Sequence, residues 1–145
     1  MPAADPCHPG SLSADLRVAT GRLQRSLRRQ RGAAELPEGQ FLTLSALHRH
    51  GPMTPGALAE HEQVRPPSMT KIVNQLAEQG LVVKTGSESD KRQVKVEITE
   101  AGTREVRETR RRRDAWLASR LETLDDGERQ LLEQSCTILL KLMET

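Results

Sequence analysis

Residues 54–98 read TPGALAEHEQVRPPSMTKIVNQLAEQGLVVKTGSESDKRQVKVEI, and this stretch decides the fold. Thr54 before Pro55 marks a helix start. The hydroxyl can accept an orphan amide proton, and a proline in the first turn lacks an N–H that would have no partner anyway. This helix is short, Pro55 to His61, and buries Leu58 and Ala57. Pro66-Pro67 opens another helix that runs to Gln79 and stops at Gly80. Its inner face, Met69, Ile72, Val73 and Leu76, has helical spacing, and its outer face carries Pro67, Thr70, Lys71, Asn74 and Glu78. Leu81-Val82-Val83 begins a strand. Val94, Val96 and Ile98, alternating with Lys95 and Glu97, form a second strand with one buried face. Between them, residues 86–92 make a polar hairpin tip.

Working outward, Glu38 to Arg49 forms a helix with Phe41, Leu44 and Leu47 spaced by three, closed by Gly51-Pro52. Ser11 or Ser13 can cap a first helix running to about Arg31, with Leu12, Leu16, Ala19, Leu23 and Leu27 along one stripe. Thr99 can cap a helix of some twenty residues whose stripe is Val106, Arg110, Arg113, Leu117 and Leu121. Asp125 and Glu128 have capping-box spacing and open a last helix with Leu131, Ser135, Ile138 and Leu142 on one face. Residues 1–10 hold three prolines and a glycine and read as a disordered leader. The expected fold is mainly α with a small β wing. A winged helix-turn-helix over 36–100 lies between an N-terminal dimerisation helix, 11–35, and C-terminal dimerisation helices, 101–145.

The 145 residues are one domain's worth of chain, but only 35% are hydrophobic, with one Phe, one Trp and no Tyr. Such a chain needs help to offset the entropy of folding, and a second copy completing the core supplies it. Leu12, Leu16, Leu23, Leu117, Leu121, Leu131, Ile138 and Leu142 are the candidate dimerisation residues. The formal charge is only +2, yet six arginines fall in residues 17–31, six more in 104–113, and six acids in the last 25 residues. That uneven placement suggests a polyanionic partner for one face. No apolar run approaches the ~20 residues that span a membrane, and no signal-peptide pattern opens the chain, so a cytoplasmic, nucleoid-associated protein is expected. Cys7 and Cys136 form neither a disulfide framework nor a metal pair, and Cys136 reads as a small core or interface residue. His48 and His50 diverge on their helix and read as surface groups. There is no nucleophile elbow, phosphate loop or carboxylate pair, so neither an enzyme nor a cofactor or metal is expected.

A winged helix-turn-helix places its second helix in the major groove and its hairpin tip against the minor groove. The first helix and the start of the second supply Thr54, Arg65, Pro66, Pro67 and Ser68. The outward face adds Thr70, Lys71 and Asn74. Asn74 suits a bidentate contact to adenine, and Lys71 suits guanine or phosphate. In the tip, Lys91 and Arg92 carry charge, and Asp90 is placed to hold the Arg92 guanidinium in one direction. Arg110 and Arg113, on an otherwise apolar stripe, are expected either to pair with acids across a dimer or to line a pocket for an anionic ligand.

Four pieces of this sequence, Leu58-Ala59, PSMTKIVNQLAEQGLV (67–82), SDKR (89–92) and ITEAG (98–102), resemble the core of MarR-family transcriptional regulators. The resemblance covers about residues 36–102. It implies a homodimer, cytoplasmic in a prokaryote, on a pseudo-palindromic duplex, acting as a repressor and released by a small aromatic or anionic ligand. The recognition helix corresponds to Pro66–Gln79 and the wing arginine to Arg92. Two positions depart from the pattern. Arg65 stands where the family often has a Ser or Thr cap, although the following proline still forces the extended backbone that a cap needs. Lys84 stands where an arginine often ends the first wing strand, and a lysine is only a point charge. Two alternatives stay open: redox control of the same fold through Cys7 or Cys136, and a winged helix used for protein contact without specific DNA binding.

Overall fold

The computed structural model describes residues 7–86 and 94–144. Six helices and two strands follow in the order α1 (Pro9–Arg28), α2 (Glu38–His50), α3 (Pro55–His61), α4 (Pro66–Glu78), β1 (Val82–Thr85), β2 (Lys95–Ile98), α5 (Glu100–Leu121) and α6 (Asp126–Met143). The strands pair antiparallel, with Val82 opposite Ile98 and Lys84 opposite Val96. Met53, just before α3, exchanges two backbone hydrogen bonds with Val96, so the hairpin is also tied to the helical side.

The core sits where α2, α3, α4 and the hairpin converge. Leu44, Leu47, Leu58, Met69, Leu76, Val82, Val96 and Val106 are all fully buried. A leucine removed from water stabilises by about 1.5–3 kcal/mol, so this small set anchors α4 and leaves its opposite face free. Ala59 rather than Ala57 joins Leu58 in the core; Ala57 is half-buried. α1 and α6 contribute no buried residue.

Helix starts follow local chemistry. The Thr54 hydroxyl accepts from Ala57 N, Thr99 accepts from Gly102 N, and Asp125 and Glu128 form the reciprocal capping box. α1 differs from expectation. It begins at Pro9, inside the expected leader, because the His8 ring caps it by accepting from Gly10 N; Ser13 instead donates to the Pro9 carbonyl. It ends at Arg28 rather than Arg31.

The segment after α1 is held by side chains of α5. Glu105 accepts from Ala34 N and Thr109 accepts from Gly32 N. Arg112 donates to the Arg31 carbonyl, and Arg113 donates to the Gln30 carbonyl. A Cβ on Gly32 would sit 2.3 Å from Glu105 Oε1, so glycine is what lets this backbone lie so close to α5. Arg113 also pairs with Glu38 at 3.0 Å and lies 4.4 Å over the Phe41 ring. Arg110 donates to Ser45. The expectation for these two arginines is therefore corrected: their partners lie on α2 and the α1–α2 connection of the same chain. A guanidinium on a long apolar stem can pack on a core edge and still reach a carboxylate.

Candidate nucleic-acid interface

α3 and α4 meet across a turn fixed by one unusual residue. Gln63 has φ +54, the left-handed region that glycine prefers. Its N–H donates to the Glu60 carbonyl, and Val64 N–H donates back to the Ala59 carbonyl. That pair of bonds is the Schellman motif, and it ends α3 sharply enough for α4 to start after only four intervening residues. Gly80, at φ +74, repeats the same pair of bonds at the end of α4 and delivers Leu81 into the core.

Arg65 caps α4 with extended backbone, φ −69 and ψ 146, and without any side-chain cap. Pro66 and Pro67 have no N–H, and Met69 N–H already donates to the Arg65 carbonyl. Of the three residues that follow the cap, only Ser68 therefore has an uncommitted amide to offer. A helix start normally offers several such donors to an anion; here the side chains of Arg65 and Lys71 must provide most of the cationic character.

Arg65, Pro66, Pro67, Ser68, Thr70, Lys71 and Asn74 are all exposed on one side of α4, while Met69, Val73 and Leu76 are buried on the other. Thr54 is half-buried and committed to capping α3. The Thr70 hydroxyl donates to the Pro66 carbonyl at 3.0 Å. Asn74 Oδ1 accepts from Lys84 Nζ on β1. A bidentate adenine contact needs both ends of that amide, so Asn74 would first have to release Lys84. Nothing local signals this contact, since it joins a helix to a strand. Asp90, Lys91 and Arg92 lie outside the described residues.

Behind α4, three glutamines lock its position. Gln40 of α2 donates to Gln75 Oε1 at 2.8 Å, and Gln79 donates to Gln40 Oε1 at 3.3 Å. Gln40 is 8% exposed, so this link is largely shielded from water and competes well with it. Between α3, α4 and the hairpin opens a cleft of about 660 Å³, lined by Thr54, Pro55, Gly56, Thr70, Val73, Lys84 and Val94. A second cleft, about 610 Å³, lies between the end of α1 and α5, with Arg29, Arg31, Arg111, Arg112 and Trp116 in its wall. Beside it, hydrogen bonds from Arg111 and then Arg112 hold the Glu108 carboxyl down to about 2.

Of the expected dimerisation residues, Leu16, Leu117 and Leu121 are half-buried within the chain. Leu12, Leu23, Leu131, Ile138 and Leu142 are 43–65% exposed. Cys136 is exposed, which departs from the core half of the expectation for it.

A short-turn helix pair, an outward polar face and an antiparallel hairpin define a winged helix-turn-helix DNA-binding protein. The MarR family profile matches residues 36–94. An HTH-type transcriptional regulator of Mycobacterium bovis, described as uncharacterized, is 41% identical over 133 residues, spanning 92% of this chain and 93% of that protein. A solved MarR family protein from Bacillus stearothermophilus has the same fold, with TM-score 0.78 at 25% identity over 99% of this chain and 100% of that one. The fold is also that of Staphylococcus aureus MepR, a variant of which was solved bound to an oligodeoxyribonucleotide (TM-score 0.67, 17% identity, 91% and 97% coverage). This chain belongs to the MarR family of transcriptional regulators. It is a regulator rather than an enzyme, and no helix among the described residues is long and apolar enough to cross a membrane.

Proposed function

We propose that the protein is a cytoplasmic homodimeric repressor that reads a pseudo-palindromic operator. Each α4 enters one of two successive major grooves, roughly 34–36 Å apart, with Arg92 of each wing at the flanking minor groove. The observation that carries the dimer is the pair of terminal helices. No residue of α1 or α6 is fully buried within the chain, and Leu131, Ile138 and Leu142 are more than half exposed on a helix with regular apolar spacing. Such a patch favours a partner of matching shape, and a second copy is the one always present. The cleft walled by Arg29, Arg31, Arg111, Arg112 and Trp116 supports release by a small aromatic anion. Among the described residues, Arg29 and Arg31 are its guanidinium groups not paired with a carboxylate, since Arg111 and Arg112 hold Glu108, and Trp116 offers the indole face not covered by Arg120. A ligand there would act by its difference in affinity between two spacings of the paired reading helices.

Light scattering on the intact chain, paired with footprinting on genomic fragments, tests this reading. The expected result is a dimer mass and protection of two half-sites about one helical turn apart. A monomer that protects a single site refutes it. Leu131→Glu with Ile138→Glu should convert the dimer to a monomer and remove the paired footprint.

A further inference from the structure

The exposed face of α4 is chemically unusual for a reading helix, because two prolines open it and the hydroxyl proton of Thr70 and the side-chain oxygen of Asn74 are already engaged within the chain. Pro66 and Pro67 offer no amide proton. The Thr70 hydroxyl proton is given to the Pro66 carbonyl. Asn74 Oδ1 is taken by Lys84. Beside the Ser68 hydroxyl and the Asn74 side-chain amino group, which make no hydrogen bond among the described residues, this surface presents two proline rings, the Thr70 side chain, and a cleft walled by Pro55, Gly56, Val73 and Val94 together with Thr54 and Lys84. Arg65 and Lys71 flank that surface with positive charge suited to phosphate, which carries no sequence information.

In the major groove the one apolar feature of any base pair is the 5-methyl group of thymine; every other edge presents a donor or an acceptor. We infer that α4 selects thymine through this methyl group, using the Thr70 methyl and the Pro67 ring as the contact surface, with the adjoining cleft taking up the group. The inference rests on the reading of α4 as the groove-entering helix and adds the base class it selects. A donor-bearing edge such as the N4 amino group of cytosine would lose its water against the Pro67 ring and the Thr70 methyl, neither of which accepts a hydrogen bond, so G·C pairs are disfavoured where these two groups make the contact.

The test starts from duplexes recovered by the intact protein from a fully randomised library. The best duplex is then made again with deoxyuridine in place of thymine at one position at a time, which removes the methyl and leaves Watson–Crick pairing intact. Each contacted methyl should contribute about fourfold in affinity, from the transfer free energy of one buried methylene-sized group. Thymines outside the two half-sites should show no change. Thr70→Ser keeps the bond to Pro66 and removes only the side-chain methyl, so it should abolish the thymine–deoxyuridine difference at one position per half-site. Should that variant fail to fold, the native protein's ratio alone decides. Equal affinity for thymine and deoxyuridine duplexes overturns methyl selection while leaving sequence-specific binding in place. A selected site with G·C pairs throughout its half-sites overturns it too. Recovery of no preferred sequence overturns both the inference and the reading beneath it.

Discussion

Gly102→Ala is the substitution whose cost follows most directly from the packing. Gly102 is the third residue of α5, where the helix crosses the end of α4 and the start of the hairpin. A Cβ there would stand 2.2 Å from the Leu81 carbonyl oxygen, 2.7 Å from Ile98 Cγ1 and 3.2 Å from Leu44 Cδ1. The nearest atom is backbone, and it already accepts the Thr99 amide at 3.0 Å, so it cannot swing aside. Restoring ordinary contact, at 3.4 Å or more, moves the start of α5 by about 1 Å. That shift strains the Thr99–Leu81 bond and the bond from the Thr99 hydroxyl to the Gly80 carbonyl. Overpacking costs about 1–3 kcal/mol, and weakening the bonds adds about 1 kcal/mol. The alanine recovers at most about 1 kcal/mol of helix propensity. The net is a destabilisation of about 1–3 kcal/mol, or a Tm lowered by about 3–10 °C for a chain of this size. Circular dichroism melting at fixed protein concentration measures it, since a dimer's Tm depends on concentration. Gly21→Ala, in mid-helix with nothing within 4 Å of the added carbon, is the control and should stabilise by up to about 1 kcal/mol. A Gly102→Ala Tm equal to or above the native value would refute the packing reasoning.

Gln63→Gly should stabilise the protein by about 1 kcal/mol, read by urea denaturation, because glycine adopts the left-handed conformation without steric cost; a loss of stability would contradict the strained turn. Glu108 should stay ionised far into acid. Its folded pKa of about 2 lies below the usual 4.5, so its contribution is fully present above pH 4.5 and is lost as pH falls toward 2. Carboxyl NMR titration measures this, and Arg111→Ala should return the titration toward 4.5. Lys71→Ala should weaken duplex binding about equally for all sequences and reduce the slope of log K against log salt by about one, provided its partner is a phosphate. An unchanged slope would place Lys71 on a base or off the DNA.

Local features of the fold were legible because their causes lie within four residues. The Thr54-Pro55 and Thr99 starts, the Gly80 stop and the Asp125–Glu128 capping box each satisfy backbone groups about one turn away, and Pro66-Pro67 removes two donors that would have no partner. The same holds for the inner face of α4, since a 3.6-residue period alone brings Met69, Val73 and Leu76 to one side. The first helix start was misjudged because His8 is an uncommon cap, and a serine nearby is the commoner signal.

The reading face was legible as a set of residues and not as a set of available groups. Thr70, Lys71 and Asn74 could be placed outward from spacing, but which of their atoms are already engaged depends on Pro66 and on Lys84 from another element. Arg110 and Arg113 show the same limit. On the stripe of α5 they resemble partners for another molecule, whereas their ligands, Ser45 and Glu38, come from 65 and 75 residues earlier in the chain.

The sequence by itself determined the helices, their caps, the hairpin and the outward residues of α4, because hydrogen bonds and periodicity over a few residues specify them. Only the tertiary structure decided the glutamine link between α2 and α4 and the grip of α5 on residues 30–34. Each of these depends on backbone or side-chain groups brought together by packing, and no local pattern records which distant group will arrive.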